Sequence, residues 1–354
     1  MQSVLLKKSA TNNNYIAFSN NKGKKWSVHK NNISTSLKLY EPMHLKGRFF
    51  KLLLPIFYKI GLLKYFLNYE ENSVVLSEKL MTFLESYYGK NFEFSVFWGT
   101  PCIDSKITIQ IFKNNKILGY CKVGKNNRVK NLFYLEKDKL KFLKEKNFDY
   151  APDCLDVVPL NNNEYAFLQT TNKKKNYKTP KKFGKSHYRF LLDLFNKTNK
   201  SILFEETDFY SSLNFLQKNI NLIDEKFREN VNSNLTDIMN LYANKIVNWG
   251  LVHRDFTPWN TYFNNGKLFA FDFEYALFNA PGFIDKWHFI FQTNIFKNKL
   301  NNKKLIKKVK KLKFYNSLEI KIYLLDIISL YLTRGEKEDI DIANKRAELL
   351  LMCN

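Results

Sequence analysis

A short segment near the middle of the C-terminal half holds the side chains whose types and spacing could do chemistry. Asp255 and Asn260 stand five positions apart in a polar stretch, and Asp272 follows twelve positions later. Between them, Asn264-Asn265-Gly266 is a strong signal for a β-hairpin turn. A hairpin there would fold Asp272 back beside Asn260. Three oxygen-bearing side chains are therefore predicted to converge on one place.

These residue types suit a divalent cation and a proton acceptor. Mg²⁺ prefers oxygen ligands and usually takes one or two protein groups together with phosphate oxygens. Asn260 and Asp272 could supply such a pair, which would leave Asp255 to accept a proton from an attacking hydroxyl. Phosphoryl transfer needs this arrangement, because it depends on positioning and on charge neutralisation.

Each of these residues also has an ordinary structural explanation. Asp and Asn commonly cap turns, which could explain any one of the three but not all three together. For Glu274, two residues after Asp272, two interpretations stay open: a contact with a second metal ion, or a bond that holds its own loop. His253 is predicted to be structural, with a hydrogen bond inside the loop, rather than a catalytic acid.

The surrounding elements should be helices after the loop-rich stretch 172–185 and mainly strands before it. Hydrophobic periodicity predicts helices over Tyr188–Asn196, Tyr210–Asn219, Leu235–Trp249 and from Leu318 to the end. The third of these is expected to end at Gly250 with the glycine as its C-cap.

Residues 92–171 have the pattern of a small sheet with one helix. The predicted strands are Phe92–Trp98, Lys106–Phe112, Ile117–Val123, Leu155–Val158 and Glu164–Leu168, and the predicted helix is Arg128–Lys146. Lys122 lies at the end of the third strand, and Glu136 lies in the helix. The ordinary interpretation of these two residues is a solvated lysine and a surface salt bridge.

The sequence pattern of the first 90 residues predicts a hairpin followed by two helical stretches. The hairpin joins Tyr15–Phe18 to Trp26–His29 through a turn at residues 20–23. Helical periodicity follows at about residues 45–66 and 76–88. Residues 45–67 are basic and amphipathic, which fits a helix packed on its own domain with lysine stems along it. It also fits a segment that lies on an anionic membrane surface.

Composition limits the class of protein. The chain has 354 residues with a formal net charge of +24, which favours anionic partners. Lys, Asn, Ile and Phe are also over-used by A/T-rich genomes, so the charge does not predict nucleic-acid binding. Four scattered cysteines without CxxC pairs indicate reduced thiols of a cytoplasmic protein. No signal peptide is expected in Met1–Asn14, which has no apolar run long enough for one.

The segment His253-Arg-Asp255, Asn260 and Asp272-Phe-Glu274 resembles the catalytic and metal motifs of the protein-kinase-like superfamily. It is most similar to the aminoglycoside phosphotransferase and choline kinase group, which has Asp-x-Glu where protein kinases have Asp-Phe-Gly. No Ala-Pro-Glu follows, and only twelve residues separate Asp272 from Asp285, too few for a long activation segment. The first 90 residues match no part of the family.

The resemblance implies an α+β, two-lobed, protein-kinase-like fold with a small antiparallel-sheet N-lobe and a mainly helical C-lobe. It divides the chain into an N-terminal extension (1–90), the N-lobe (91–171) and the C-lobe (172–354). In the N-lobe it implies that Lys122 contacts the ATP phosphates, that Glu136 orients this lysine, and that Gly99 belongs to the phosphate-covering turn. Asp285 resembles the family aspartate that braces the catalytic loop.

The function that the resemblance implies is ATP- and Mg-dependent transfer of a phosphoryl group to a hydroxyl of a small molecule. Asp255 would be the catalytic base, and Asn260, Asp272 and Glu274 would hold the metal. A sugar or amino sugar is the expected acceptor, with a role in surface-polysaccharide or lipopolysaccharide synthesis at the inner face of the membrane. The alternatives are a nucleotide-binding pseudokinase scaffold and a protein kinase.

Overall fold

The computed structural model describes residues 5–6, 14–20, 23–42, 45–100, 102–174 and 176–353. Most of Met1–Asn14, and Asn21 and Lys22 of the predicted hairpin turn, lie outside the described residues. The chain forms two compact units. The first comprises residues 1–141 and 152–177, and the second comprises residues 142–151 and 178–354.

The first unit is built on strands. They are β1 (Leu5–Leu6), β2 (Tyr15–Ser19), β3 (Lys25–His29), β4 (Tyr69–Asn72), β5 (Val75–Leu76), β6 (Glu93–Phe97), β7 (Lys106–Lys113), β8 (Lys116–Lys125), β9 (Cys154–Asn161) and β10 (Glu164–Thr170). Its helices are α1 (Ile33–Ser36), α2 (Leu45–Lys59), α3 (Leu63–Phe66), α4 (Glu78–Tyr88) and α5 (Asn126–Glu145), of which residues 142–145 belong to the second unit. Both predicted helical stretches of the first 90 residues are thus present.

Eight of these strands form one antiparallel sheet in the order β4-β2-β3-β6-β7-β8-β10-β9. The predicted hairpin is confirmed, since β2 and β3 pair from Tyr15↔His29 to Ser19↔Lys25. The sheet is larger than the sequence indicated because β2, β3 and β4 extend it beyond β6. A boundary at residue 90 stays a prediction.

Local chemistry explains the central hairpin of this sheet. Asn114 and Asn115 join β7 to β8 with φ of 51° and 61°. Asparagine tolerates this left-handed conformation, and two such residues make the tight turn whose twist matches that of the flanking strands. The turn fixes the register that sets Lys122 opposite Thr108 on β7, and Phe167 of β10 lies on its other side.

The second unit is mainly helical. Its helices are α6 (Lys185–Thr198), α7 (Asp208–Lys218), α8 (Glu225–Tyr242), α9 (Phe283–Gln292), α10 (Asn302–Val309), α11 (Ser317–Arg334) and α12 (Lys337–Leu351), and α9 continues into a π-helical turn at Thr293–Lys297. Its strands are β11 (Lys200–Leu203), β12 (Ile246–Val252), β13 (Thr261–Asn264), β14 (Lys267–Ala270) and β15 (Leu277–Ala280). The core surrounds α11, which is buried over almost its whole length.

The predicted helix over Leu235–Trp249 is wrong in its second half. Helix α8 ends at Tyr242, and β12 occupies Ile246–Val252, between β11 and β15 in a three-stranded sheet. Gly250 therefore lies in a strand and caps no helix. A Cβ on Gly250 would lie 2.7 Å from Oγ1 of Thr198, so close approach to the end of α6 explains the glycine.

No helix in the described ranges is long and apolar enough to cross a membrane.

Candidate active site

The predicted loop lies in the second unit, between β12 and the hairpin β13–β14. The hairpin is confirmed, with Thr261↔Ala270 to Asn264↔Lys267 in register. Just beyond it, the Phe271 N–H donates to the Asn260 carbonyl at 3.0 Å, so the backbone leading to Asp272 is bonded to Asn260. Asp272 has φ of 74°, a left-handed conformation that Asp tolerates better than most residues.

Asp255 is held at both carboxylate oxygens. Nδ2 of Asn260 donates to Oδ2 of Asp255 at 2.7 Å, and Nε2 of His288, on α9, lies 3.2 Å from Oδ1. His288 and Asn260 are buried, whereas the Asp255 side chain keeps 29% of its surface exposed. The carboxylate is therefore oriented by buried neighbours and is still open to a solvent-borne group.

Asp285 braces the loop that carries Asp255. Its Oδ2 accepts the His253 N–H and its Oδ1 accepts the Arg254 N–H, both at 2.8 Å. Burial raises the pKa of Asp285 to about 7, although both amide donors favour the charged form. This contact is the one that the family resemblance implied for Asp285.

His253 has the structural geometry that the sequence predicted. Its Nε2 lies 2.9 Å from the Phe271 carbonyl, and its Nδ1 accepts the Asp255 N–H at 3.3 Å. This pattern fits the neutral tautomer with the proton on Nε2. Burial lowers the pKa of His253, which also favours the neutral ring. His253 thus ties the loop to the segment before Asp272.

Arg254 belongs to a buried polar network. Its Nη2 lies 2.9 Å from Oδ1 of Asp326, its Nε donates to Oδ2 at 3.0 Å, and Nη2 also donates to Oγ of Ser212 at 2.7 Å. Asp326 lies on α11 and is fully buried. Arg254 has φ of 65°, so its side chain leaves the loop from a left-handed position and reaches the core of the helical unit.

The residues predicted to hold a metal, Asn260, Asp272 and Glu274, all lie in the second unit. The side-chain nitrogen of Asn260 donates two hydrogen bonds to Asp255, one to Oδ2 at 2.7 Å and one to the main-chain oxygen at 3.1 Å. The side-chain oxygen of Asn260 takes no part in these bonds and is the atom that could face a metal ion. Glu274 is buried and Asp272 is partly buried. An amide oxygen and carboxylates are the kinds of ligand that Mg²⁺ takes from proteins.

The first unit contains the other predicted pair. Nζ of Lys122 contacts Glu136 at 2.9 and 2.7 Å, with both side chains buried. The structure therefore contradicts the solvated lysine and the surface salt bridge as interpretations of these residues. Lys122 lies inside β8, three residues before its end, rather than at the end of the strand.

Gly99 lies in the turn between β6 and β7. Its φ is 87°, and a Cβ there would lie 2.5 Å from the Lys106 carbonyl oxygen. Only glycine adopts this conformation at such a close backbone approach without strain. The position therefore requires glycine even though the turn has a single one.

Three side chains around the Asp255 loop were not predicted from the sequence: His288, Asp326 and Ser212. His288 lies three residues after Asp285, so the spacing of a helical turn places both on the loop-facing side of α9. This three-residue spacing could have predicted that His288 lies on the same side of the helix as Asp285. Asp326 lies in an otherwise apolar run, Ile322–Ile328, and a lone carboxylate in such a run indicates a buried partner. Ser212 carries no comparable signal.

The structure is similar to crystal structures of aminoglycoside phosphotransferase APH(4)-Ia. A thermostable mutant in its apo form is 13% identical over 77% of this chain and 98% of that chain, with a TM-score of 0.53. Another mutant, in a ternary complex with AMP-PNP and hygromycin B, is 13% identical over 77% and 97%, with a TM-score of 0.50. No protein-family model and no curated protein matches the sequence. The structural similarity confirms the predicted α+β, protein-kinase-like fold.

Proposed function

We propose that this protein is an ATP- and Mg-dependent phosphotransferase that acts on a hydroxyl of a small molecule. The observation that carries the proposal is the setting of Asp255: buried donors hold both of its oxygens, and its side chain remains partly exposed. A carboxylate with these properties can receive and orient a hydroxyl group while its own position is fixed.

The remaining residues are proposed to hold the nucleotide. Mg-ATP would supply the transferable phosphoryl group and neutralise its charge. Asn260, Asp272 and Glu274 are the residues proposed to hold the metal. In the other unit, Lys122 is proposed to contact the α- and β-phosphates while Glu136 holds its ammonium group, and the Gly99 turn is proposed to cover them.

A small acceptor is favoured over a protein. Only twelve residues lie between Asp272 and Asp285, and they include the short strand β15, so a long activation segment is absent from this part of the sequence. The similar phosphotransferase structure contains hygromycin B with AMP-PNP. A sugar or amino sugar is therefore the proposed acceptor class, with surface-polysaccharide or lipopolysaccharide synthesis as the proposed setting.

The test is ATP turnover against a panel of sugars and amino sugars, with the Asp255→Asn variant and Asp237→Asn as a matched control. Asp237 is exposed on α8, so its substitution repeats the charge change away from the loop. We expect Asp255→Asn to lower kcat by at least about a hundredfold, since a general base typically contributes that much. ATP binding and the folded state, checked by calorimetry and thermal unfolding, should persist.

Three outcomes would contradict the proposal. Equal ATP turnover of the wild type and Asp255→Asn would exclude Asp255 as the base. ATP binding without turnover on any acceptor would favour the pseudokinase scaffold. Transfer of labelled phosphate to the protein fraction of a lysate, rather than to the metabolite fraction, would favour a protein kinase.

A further inference from the structure

Helix α2 is anchored to the first unit by one of its faces. Leu54 is 1% exposed and lies in a core cluster with residues of β2 and β3, among them Ile16 and Val28. Leu63, at the start of α3, joins the same cluster. This inner face satisfies the usual requirement of a surface helix, which buries a single apolar stripe.

The helix carries a second apolar stripe that faces away from this core. Leu45, Phe49, Leu52 and Ile56 are between 52% and 71% exposed. At 3.6 residues per turn they fall within about 60° of the helix circumference. Past the end of α2, Ile60, Tyr65 and Phe66 are exposed as well, and the Phe66 ring stacks on Phe57 of α2 at 4.5 Å. We call these seven residues the outer apolar face.

Clustering distinguishes this face from ordinary surface hydrophobics. Single exposed apolar side chains are common on folded proteins and need no explanation. Here the seven residues, with Leu62 as an eighth at 40% exposure, lie within 22 consecutive residues, and such a concentration marks a site of contact with an apolar partner. Since the inner face already secures α2 to the sheet, folding of this unit does not account for the outer one.

Charge indicates which kind of partner fits. Lys46, Arg48, Lys59 and Lys64 border the outer apolar face, and no acidic residue occurs from 45 to 69. Lys51 turns inward instead, near Glu41, where burial lowers its pKa to about 8. An apolar stripe bordered by cations matches the interface of an anionic bilayer, which offers acyl chains beneath negatively charged headgroups.

We propose that the outer apolar face docks this protein on an anionic lipid membrane, with the stripe in the headgroup–acyl boundary and the four cations on the lipid phosphates. This inference goes beyond the phosphotransferase activity and does not depend on it. A membrane location would bring an enzyme to acceptors that are themselves attached to lipid.

Vesicle sedimentation tests the proposal. The full chain is mixed with vesicles of phosphatidylglycerol and phosphatidylcholine (1:1), and with phosphatidylcholine vesicles alone, at low and at high salt. We expect binding to the anionic vesicles that weakens with salt. The Phe49→Gln/Ile56→Gln variant should reduce the partition coefficient by about tenfold or more, because two large side chains no longer enter the apolar layer.

Two controls separate membrane docking from general effects. Leu192→Gln/Ile246→Gln makes the same change at two side chains of the helical unit that are 60% and 74% exposed, and it should leave vesicle binding unchanged. Arg48→Glu/Lys59→Glu should abolish the preference for anionic over neutral vesicles. All variants change exposed or half-exposed positions, so their melting temperatures should match that of the wild type.

The proposal is overturned if the wild type binds neutral and anionic vesicles equally weakly, or if the two glutamine double variants lose binding to the same degree. It is also overturned if the face joins two copies of the chain. In that case light scattering without lipid would show a dimer that Phe49→Gln/Ile56→Gln dissociates, and the wild type would not sediment with vesicles.

Discussion

Replacing Asp326 by leucine would leave the Arg254 guanidinium buried without its counter-charge. The pair makes two short contacts, Nη2–Oδ1 at 2.9 Å and Nε–Oδ2 at 3.0 Å, and both side chains are at least nine-tenths buried. Removal of one member of such a pair typically costs about 3–5 kcal/mol. Asp326→Leu and Arg254→Met should each lower the free energy of unfolding by about this amount.

The double variant should behave differently. Arg254→Met/Asp326→Leu removes both charges and fills the space with apolar groups, and such a replacement is often neutral or even stabilising. The free energy of unfolding should therefore fall by less in the double variant than in either single variant, so the coupling energy between the two positions should be at least about 3 kcal/mol. The left-handed backbone at residue 254 is the same in Arg254 and its Met variant, so strain does not enter the comparison.

Urea unfolding followed by circular dichroism measures these differences. Lys137→Ala is the control, because its pair with Asp156 spans 3.8 Å with both side chains 37% exposed and should be worth about 1 kcal/mol or less. Additive effects of the two single variants, or an Asp326→Leu cost similar to that of Lys137→Ala, would refute the view that a buried ion pair fixes this loop to α11.

Three further predictions concern single side chains. His288→Phe removes the group that contacts Oδ1 of Asp255, so it should lower kcat by about tenfold and shift the pH profile of kcat. His288→Gln keeps a hydrogen-bond donor and should restore part of the activity. Equal loss of activity in both variants would refute the positioning role of His288. Burial lowers the pKa of His187 from 6.5 to about 4, so below pH 6.5 the unfolded chain binds a proton more readily than the folded one. The free energy of unfolding should therefore fall by about 3 kcal/mol as the pH is lowered from 6.5 to 4. His187→Gln should flatten this dependence in urea titrations at several pH values, and an unchanged slope would contradict it. Gly99→Ala should lower stability by about 1–2 kcal/mol and raise KM for ATP, whereas Gly184→Ala, at an extended position with open space, should do neither.

The sequence predicted the local features of the site because they depend on short-range chemistry. The Asn-Asn-Gly turn specifies the hairpin β13–β14, and the hairpin brings the segment of Asp272 to Asn260. The predicted Lys122–Glu136 pair is also present. The roles of these residues in catalysis and metal binding stay predictions until the proposed assays are done.

The error at Leu235–Trp249 shows where local patterns fail. A run such as Ile246–Val252 is apolar enough for either a buried helix or a strand, and propensity does not decide between them. Pairing with β11, which comes earlier in the chain, and with β15, which comes later, makes this segment a strand. The same holds for β3, whose place beside β6 depends on a strand edge that lies far along the chain.

The sequence by itself determined which groups can do chemistry here and in what order they occur, because turns, hairpins and charged motifs are encoded within a few residues of each other. Tertiary structure alone decided that His288 from α9 and Asp326 from α11 reach the loop that carries Asp255, and that Glu136 is buried rather than solvated. Burial and long-range contact are properties of the folded core, since each side chain's surroundings come from segments distant in sequence.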